Sequence, residues 1–279
     1  MSDVVERLGR SQIQHGKSNN RIYLMKLDPA EAPRLVPQLD QLARNKGYTK
    51  IFAKVPARAR PVFAQAGYRE EAAIPGFFGG REDAAFFGKY FCERRRRERK
   101  PDEVQEVIDA ARAKAGTAPT PQLENGYRLR PLGPRDAEAM AALYREVFAS
   151  YPFPIHDPAY LRQTMDENIL YWGVEDGSRL AAISSAETYA ADGNAEMTDF
   201  ATLPAYRGAG FAQVLLARME EELNKRGYRT AYTIARAYSF GMNITFAKHG
   251  YRFSGTLTHN TDISGELESM NVWYKPLDS

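Results

Sequence analysis

From Arg21 onward the chain alternates short apolar runs with segments of helical period. "RIYLMKL" (21–27) predicts a strand. "DPAEAPRLVPQLDQLARNKGY" predicts a helix, with Asp28 as its N-cap and Gly47 as its stop. "TKIFAKVP" (49–56) alternates like a strand, and "ARARPVFAQAGYREEAAIPGFF" reads as a helix ended by Gly67 followed by an extended piece. Residues 1–20 are polar and read as strand or turn. The order strand, helix, strand, helix, strand predicts a small α/β layer over residues 1–92.

The pattern then breaks. "ERRRRERKPDEVQEVIDAARAKAGTAPTPQ" is charged, then rich in Ala, Thr and Pro, and predicts a solvated helical connector over 93–122. Arg94–Arg97 lie among Glu93, Glu98, Asp102 and Glu103, which suits a solvated face better than a nucleic-acid site. A second domain, 123–279, restarts with a strand at Tyr127 and a helix carrying Met140, Leu143 and Val147 at apolar spacing. A second helix is capped by Asp157, and a hairpin turns at Asp176-Gly177. The strand "NAEMTDFATLP" is followed by an amphipathic helix, the strand "RTAYTIARA", a helix closed by Gly250, and two final strands.

Between "NAEMTDFATLP" and its helix stands Arg207-Gly208-Ala209-Gly210. Free N–H groups at a helix N-terminus form an anion site, and glycine lets phosphate oxygens approach them. Arg207 adds a planar cation. The stretch is suited to a pyrophosphate. It is neither a dinucleotide fingerprint nor a P-loop: GxGxxG is absent, and "GKS" at 16–18 has Ser11 where a P-loop needs glycine.

Composition narrows the partners. A net charge of +3 over 279 residues gives no case for nucleic acid. One cysteine, Cys92, rules out an internal disulfide and a cysteine-based zinc site, and points to a reducing, cytoplasmic setting. His15, His156, His249 and His259 show no ligand spacing, so no metal is expected. No apolar run is long enough for a signal peptide or a membrane span.

Arg207-Gly208-Ala209-Gly210-Phe211-Ala212 resembles the R/Q-x-x-G-x-G/A signature of the GNAT N-acetyltransferases, and the order of elements from Tyr127 to Leu277 is similar to their fold. "YPFPIHDPAYL", "AEMTDFATLPAYRGAG", "SFGMNITFAKHGY" and the N-terminal "YTKIFAKVPARARPVFAQAGYREEAAIPGFF" resemble the beta-lysine N6-acetyltransferases over nearly the whole chain. The resemblance implies acetyl-CoA as donor and (3S)-3,6-diaminohexanoate as acceptor. It also implies N6-acetyl-beta-lysine, a compatible solute, as product and lysine 2,3-aminomutase as a pathway partner. Alternatives are another small amine, a protein lysine, or a CoA-binding regulatory module. A homodimer is an assembly left open.

The same resemblance assigns residues. The pyrophosphate falls to residues 207–212. The pantetheine arm falls to backbone groups of Phe200, Ala201 and Thr202, left unpaired by a strand splay, and to Leu203. Ser239 stands where the family often has a CoA-binding Asn, with Asn243 one turn on. Phe246 replaces the tyrosine that usually protonates the leaving thiolate, which leaves Tyr238, Tyr232 or water for that step.

An ε-type ammonium titrates near about 10.4 and must lose a proton before it attacks. Glu196 stands where many of the family carry the base; Asp199 is the second candidate, or an ammonium binder. Their opposite parity predicts opposite faces of a regular strand. Tyr151, Phe153, His156 and Asp157 are expected in the acceptor pocket, with His156 or Arg162 toward a carboxylate and Asp157 or Glu187 toward an ammonium. Asp157 also reads as a plain N-cap. Finally, "IFAKVPARARPVFAQAGYREEA" echoes "IARAYSFGMNITFAKHGYRFSG", which suggests either that the first domain is a GNAT-like copy without a glycine loop and without CoA, or that the two halves merely share a helix–strand corner.

Overall fold

The computed structural model describes residues 3–118, 122–124, 126–263 and 265–277, so the expected end of the connector at 119–121 lies outside the described residues. Asp28 and Gly47 bracket the first helix. The Asp28 carboxylate accepts from Ala30 N–H, and Gly47 closes the helix in the left-handed conformation, where its amide bonds back to Ala43 and Arg44 carbonyls. The first half contains β1 (Val4–Leu8), β2 (Ser11–Gly16), β3 (Arg21–Lys26), α1 (Ala32–Lys46) and β4 (Lys50–Pro56). It continues with α2 (Arg60–Gln65), β5 (Arg69–Phe78) and β6 (Glu82–Tyr90). The strands form one sheet in the order β1-β2-β3-β4-β6-β5.

The connector holds α3 (Glu93–Arg96) and α4 (Pro101–Arg112). The second half begins with β7 (Tyr127–Leu132), α5 (Ala137–Val147), α6 (Pro158–Glu167), β8 (Ile169–Asp176), β9 (Arg179–Tyr189) and β10 (Asn194–Thr202). Then come α7 (Phe211–Lys225), β11 (Thr230–Arg236), α8 (Phe240–Lys248), β12 (Arg252–Ile263) and β13 (Glu266–Pro276). Its sheet order is β12-β13-β11-β10-β9-β8-β7.

The two sheets share a plan. β3 and β4 are parallel with α1 between them, as β10 and β11 are parallel with α7 between them. β4 and β5 both pair with β6, as β11 and β12 both pair with β13. The sequence echo between the two halves is therefore also an echo of topology.

β4 shows how the halves meet. It was expected to alternate, yet every residue from Lys50 to Pro56 is buried. Ile51, Ala53 and Val55 join Leu35, Leu39 and Phe63 beneath the helices of the first half. Phe52 faces the other way and shares a core with Tyr232, Leu257 and Val272 of the second sheet. Lys50 lies on that same face. Its ammonium is fully buried beside Glu71 at 3.0 Å, and burial lowers its pKa to about 8.

The connector is not a solvated strap. Val104, Val107, Ile108 and Ala111 of α4 are buried. Arg95, expected on a solvated face, is 5 % exposed and donates to the carbonyls of Asn19, Asn20 and His259 and to Thr49 Oγ1. A guanidinium is well suited to such a place, because its five N–H groups can satisfy several carbonyls at once.

Asn243, expected at the cofactor, is instead a knot in the core. Its Nδ2 donates to Arg236 O at 3.0 Å and Ser239 O at 2.7 Å, while its Oδ1 accepts from Asn271 Nδ2 at 2.9 Å and Trp273 Nε1 at 2.8 Å. Asn243→Ala leaves two buried donors unpaired, each costing about 1–3 kcal/mol. The expected result is a loss of about 3 kcal/mol in denaturant unfolding, with acetyl-CoA affinity in the folded protein changed by less than about threefold.

Candidate functional site

α7 is held by Phe211, Leu215, Leu216, Met219 and Leu223, all buried against the second sheet. Each such side chain contributes about 1.5–3 kcal/mol when removed from water, so the helix start is fixed in place. In front of it Gly208 has φ +92° and Gly210 has φ +77°, and nothing lies within 4 Å of where a Cβ would stand on either. Arg207 N–H bonds Pro204 O, Ala209 N–H bonds Tyr206 O, and Gln213 and Val214 N–H both bond Gly210 O. Among the described residues the amides of Gly208, Gly210, Phe211 and Ala212 take no backbone acceptor. Four open donors at a helix N-terminus, with room above them, fit a diphosphate.

β10 and β11 part beside this loop. Their parallel ladder covers only Asn194–Glu196 and Thr230–Tyr232, although both strands continue. From Met197 to Thr202 the edge of β10 facing β11 is open, which exposes backbone groups where the acyl arm is expected. Ala201 and Thr202 pair on the other side with Ile183 and Ala182 of β9. Leu203, expected to continue the contact with the pantetheine arm, gives its amide to Ala181 O at 2.9 Å on the β9 side.

One rung of the sheet gathers three titratable groups. Glu187 of β9, Glu196 of β10 and Tyr232 of β11 lie side by side in register. Two carboxylates directly opposite each other repel. Burial, and then the Glu187 charge, push Glu196 up to about 7, against the pull of Lys54 and a hydrogen bond from Tyr232. Burial also raises Glu187, although Tyr189 O–H donates to it. Lys54 of β4 reaches across from the first sheet. Its Nζ donates to Tyr232 Oη at 3.0 Å and lies 4.8 Å from the Tyr189 ring centroid. Burial alone would lower the pKa of Lys54, but Tyr23, Glu196 and Glu187 raise it above the usual lysine value, so it stays a cation.

The expected opposition of Glu196 and Asp199 does not occur. The register slips between Thr198 and Ala201, and Asp199 has φ +54°. A bulge of this kind re-aims side chains, and both carboxylates line the same cavity of about 1040 Å³. The left-handed conformation costs a non-glycine residue about 1–2 kcal/mol. Tyr151 O–H and Ser185 O–H hold it there, each 2.5 Å from a different Asp199 oxygen. Burial raises the Asp199 pKa, against hydrogen bonds from Ser185, Tyr151 and Thr198. Both Asp199 oxygens are thus engaged by hydroxyl donors, whereas Glu196 takes a side-chain hydrogen bond from Tyr232 alone.

The other expected residues divide. Tyr151 and Phe153 line the cavity. His156 and Asp157 do not: Asp157 is exposed and caps α6 through Ala159 N–H at 2.9 Å, and Arg162 pairs with Glu138 outside the cavity. Ser239 caps α8 through Met242 N–H. Phe246 is 1 % exposed and packs edge-on against Phe200 and Tyr251, so it is a core residue rather than a donor contact. Of the tyrosines considered for the thiolate, Tyr238 gives its hydroxyl to Glu98 at 2.5 Å, and Tyr232 is engaged with Lys54 and Glu196.

Sequence reasoning passed over Arg21, Tyr23 and Lys54, which bring the first sheet into the cavity wall. The one signal was a pair of lysines inside the otherwise apolar run "KIFAKVP".

Known proteins give the same picture. The model of the acetyltransferase (GNAT) family matches residues 138–251. Beta-lysine N(6)-acetyltransferase of Methanococcus maripaludis is 38 % identical over 275 residues, 99 % of each chain. N-acetyltransferase YodP of Bacillus subtilis is 32 % identical over 269 residues, 95 % of each. Beta-lysine N(6)-acetyltransferase of Methanosarcina mazei is 31 % identical over 258 residues, 86 % of this chain and 95 % of the relative. Since the family model spans the parted strands and the glycine turn, and the relatives align nearly from end to end, the chain belongs to the acetyltransferase (GNAT) family.

Proposed function

We propose that the protein transfers the acetyl group of acetyl-CoA to the N6 amine of beta-lysine, giving N6-acetyl-beta-lysine and CoA. The observation that carries this reading is Glu196: a carboxylate raised to about 7, on a cavity wall, at the point where β10 and β11 part. A base of that pKa is half ionised near neutrality and can take a proton from an ammonium. The name of the two methanogen relatives supports the choice of amine.

The steps follow from the placement. Glu196 accepts a proton from the N6 ammonium, directly or through one water, while Asp199 and Glu187 keep the pocket favourable to cations. The neutral amine attacks the thioester carbon. Open amides on the β11 side of β10 donate to the carbonyl oxygen as it gains charge. The carbon–sulfur bond breaks as the attacking nitrogen gives up its second proton, and that proton passes through water to the leaving thiolate. The open amides of Gly208, Gly210, Phe211 and Ala212, with Arg207, hold the diphosphate throughout. On this reading the acceptor comes from a lysine 2,3-aminomutase, and the product serves as a cytoplasmic compatible solute.

The test is turnover of acetyl-CoA with beta-lysine, lysine, 1,5-diaminopentane and a lysine peptide, with the acetylated nitrogen located by NMR. Beta-lysine is expected to exceed the others in kcat/KM by at least about tenfold, with acetyl on N6. Preference for the peptide, or acetylation at N3, overturns the substrate. Binding of CoA with no turnover on any amine overturns the enzyme reading in favour of a regulatory module.

A further inference from the structure

Glu196 locates the reacting amine, and the opposite end of the acceptor needs a partner of its own. Among the described residues, Gln14 Oε1, Arg21 Nε, Asn194 Oδ1 and Asn260 Oδ1 are buried side-chain atoms of cavity-lining residues that make no hydrogen bond. Buried polar atoms are nearly always paired, so such a group in one cavity asks for a ligand.

Arg21 stands out. It is 4 % exposed, and among the described residues no carboxylate lies within ion-pair distance of it. Its guanidinium sits 5.4 Å from the Tyr23 ring centroid and 5.8 Å from that of Phe52. Nη1 donates to Asn260 O and, at 3.2 Å, to Thr261 Oγ1, which orients the plane and leaves Nε–H unused. Burial lowers its pKa only to about 10, so it is charged at neutrality. Gln14 lies opposite Tyr23 across the β2–β3 pair, and it is over the Tyr23 ring that the guanidinium sits. The second buried cation of the wall, Lys54, is already matched by Glu187, Glu196 and Tyr232.

We propose that Arg21 receives the carboxylate of the acceptor through Nε–H, while Asn260 Oδ1 and Gln14 Oε1 accept from its 3-ammonium group. The first sheet then selects a diamino acid over a simple diamine. This rests on the acceptor reading above and adds the residue that recognises the acid end.

The experiment compares beta-lysine with 1,4-diaminopentane, the same molecule without its carboxylate, in the wild-type protein, Arg21→Gln and Arg21→Lys. The wild type is expected to favour beta-lysine in kcat/KM by on the order of 100-fold. Arg21→Gln is expected to collapse that ratio to within a few-fold of one, mainly through the KM for beta-lysine, with the acetyl-CoA KM unchanged. Arg21→Lys keeps the charge and a donor to Asn260 O, and is expected to fall between. A preference ratio unchanged in both variants overturns the proposal, whether both amines slow equally, as for a merely structural arginine, or neither does. A wild-type protein that acetylates neither amine removes the acceptor reading itself, a different result from a wild-type ratio that survives loss of Arg21.

Discussion

Glu196→Gln lowers kcat by about 10²- to 10⁴-fold, and the pH profile changes shape. In the wild-type protein kcat/KM rises as pH passes upward through about 7, because only the ionised Glu196 accepts a proton. The amide cannot accept one, so the residual rate climbs only as the amine loses its own proton, toward about 10.4. The substitution is nearly isosteric and removes one of two opposed carboxylates, so folding should survive; the thermal midpoint and acetyl-CoA affinity check this. A variant that keeps the wild-type profile would move the base to Asp199 or Glu187.

Gly210→Glu weakens acetyl-CoA binding by at least about 100-fold. Two effects add. The residue sits at φ +77°, where a side chain costs about 1 kcal/mol or more. A carboxylate at the helix start then faces the diphosphate that the amides of 208–212 would hold, and like-charge contact costs several kcal/mol. Gly210→Ala separates the two, since it carries the strain without the charge and should cost about fivefold. Calorimetry with acetyl-CoA reads both variants. Because the space above Gly210 is open, the helix is expected to form in each. Wild-type affinity in Gly210→Glu would place the diphosphate elsewhere.

Much of the fold was legible because local signals were strong. Asp28, Gly47, Asp157, Asp176-Gly177 and Gly250 punctuate the chain where elements begin and end, and α7 follows its apolar period. The strand "EDAAFFGKY" was overlooked, since a run of small and aromatic residues carries little period of its own; as β6 it sits between β4 and β5. The glycine turn was legible because its geometry rests on backbone conformations that glycine alone adopts freely. The acceptor pocket was legible only in part. Parity arguments assume a regular strand, and the bulge at Asp199 broke that assumption. Arg21 and Lys54 act from another sheet, and nothing local in "RIYLMKL" or "KIFAKVP" says which distant surface will cover a strand. His156 and Asp157 looked chemical because polar residues in a proline-rich loop do; one caps a helix and neither reaches the cavity.

The helix of the first half that corresponds to α7 opens differently. At the head of α1, Asp28 already fills the place of an anion by accepting from Ala30, and Glu31 beside it accepts from Arg10 N–H at 2.8 Å. Any phosphate arriving there would meet two carboxylates, both paired with Arg10, instead of free amides. Among the described residues the doubled architecture thus opens helix-start amides in front of α7 and blocks them at α1, so one thioester per polypeptide is the expected stoichiometry, and calorimetry with acetyl-CoA reads it.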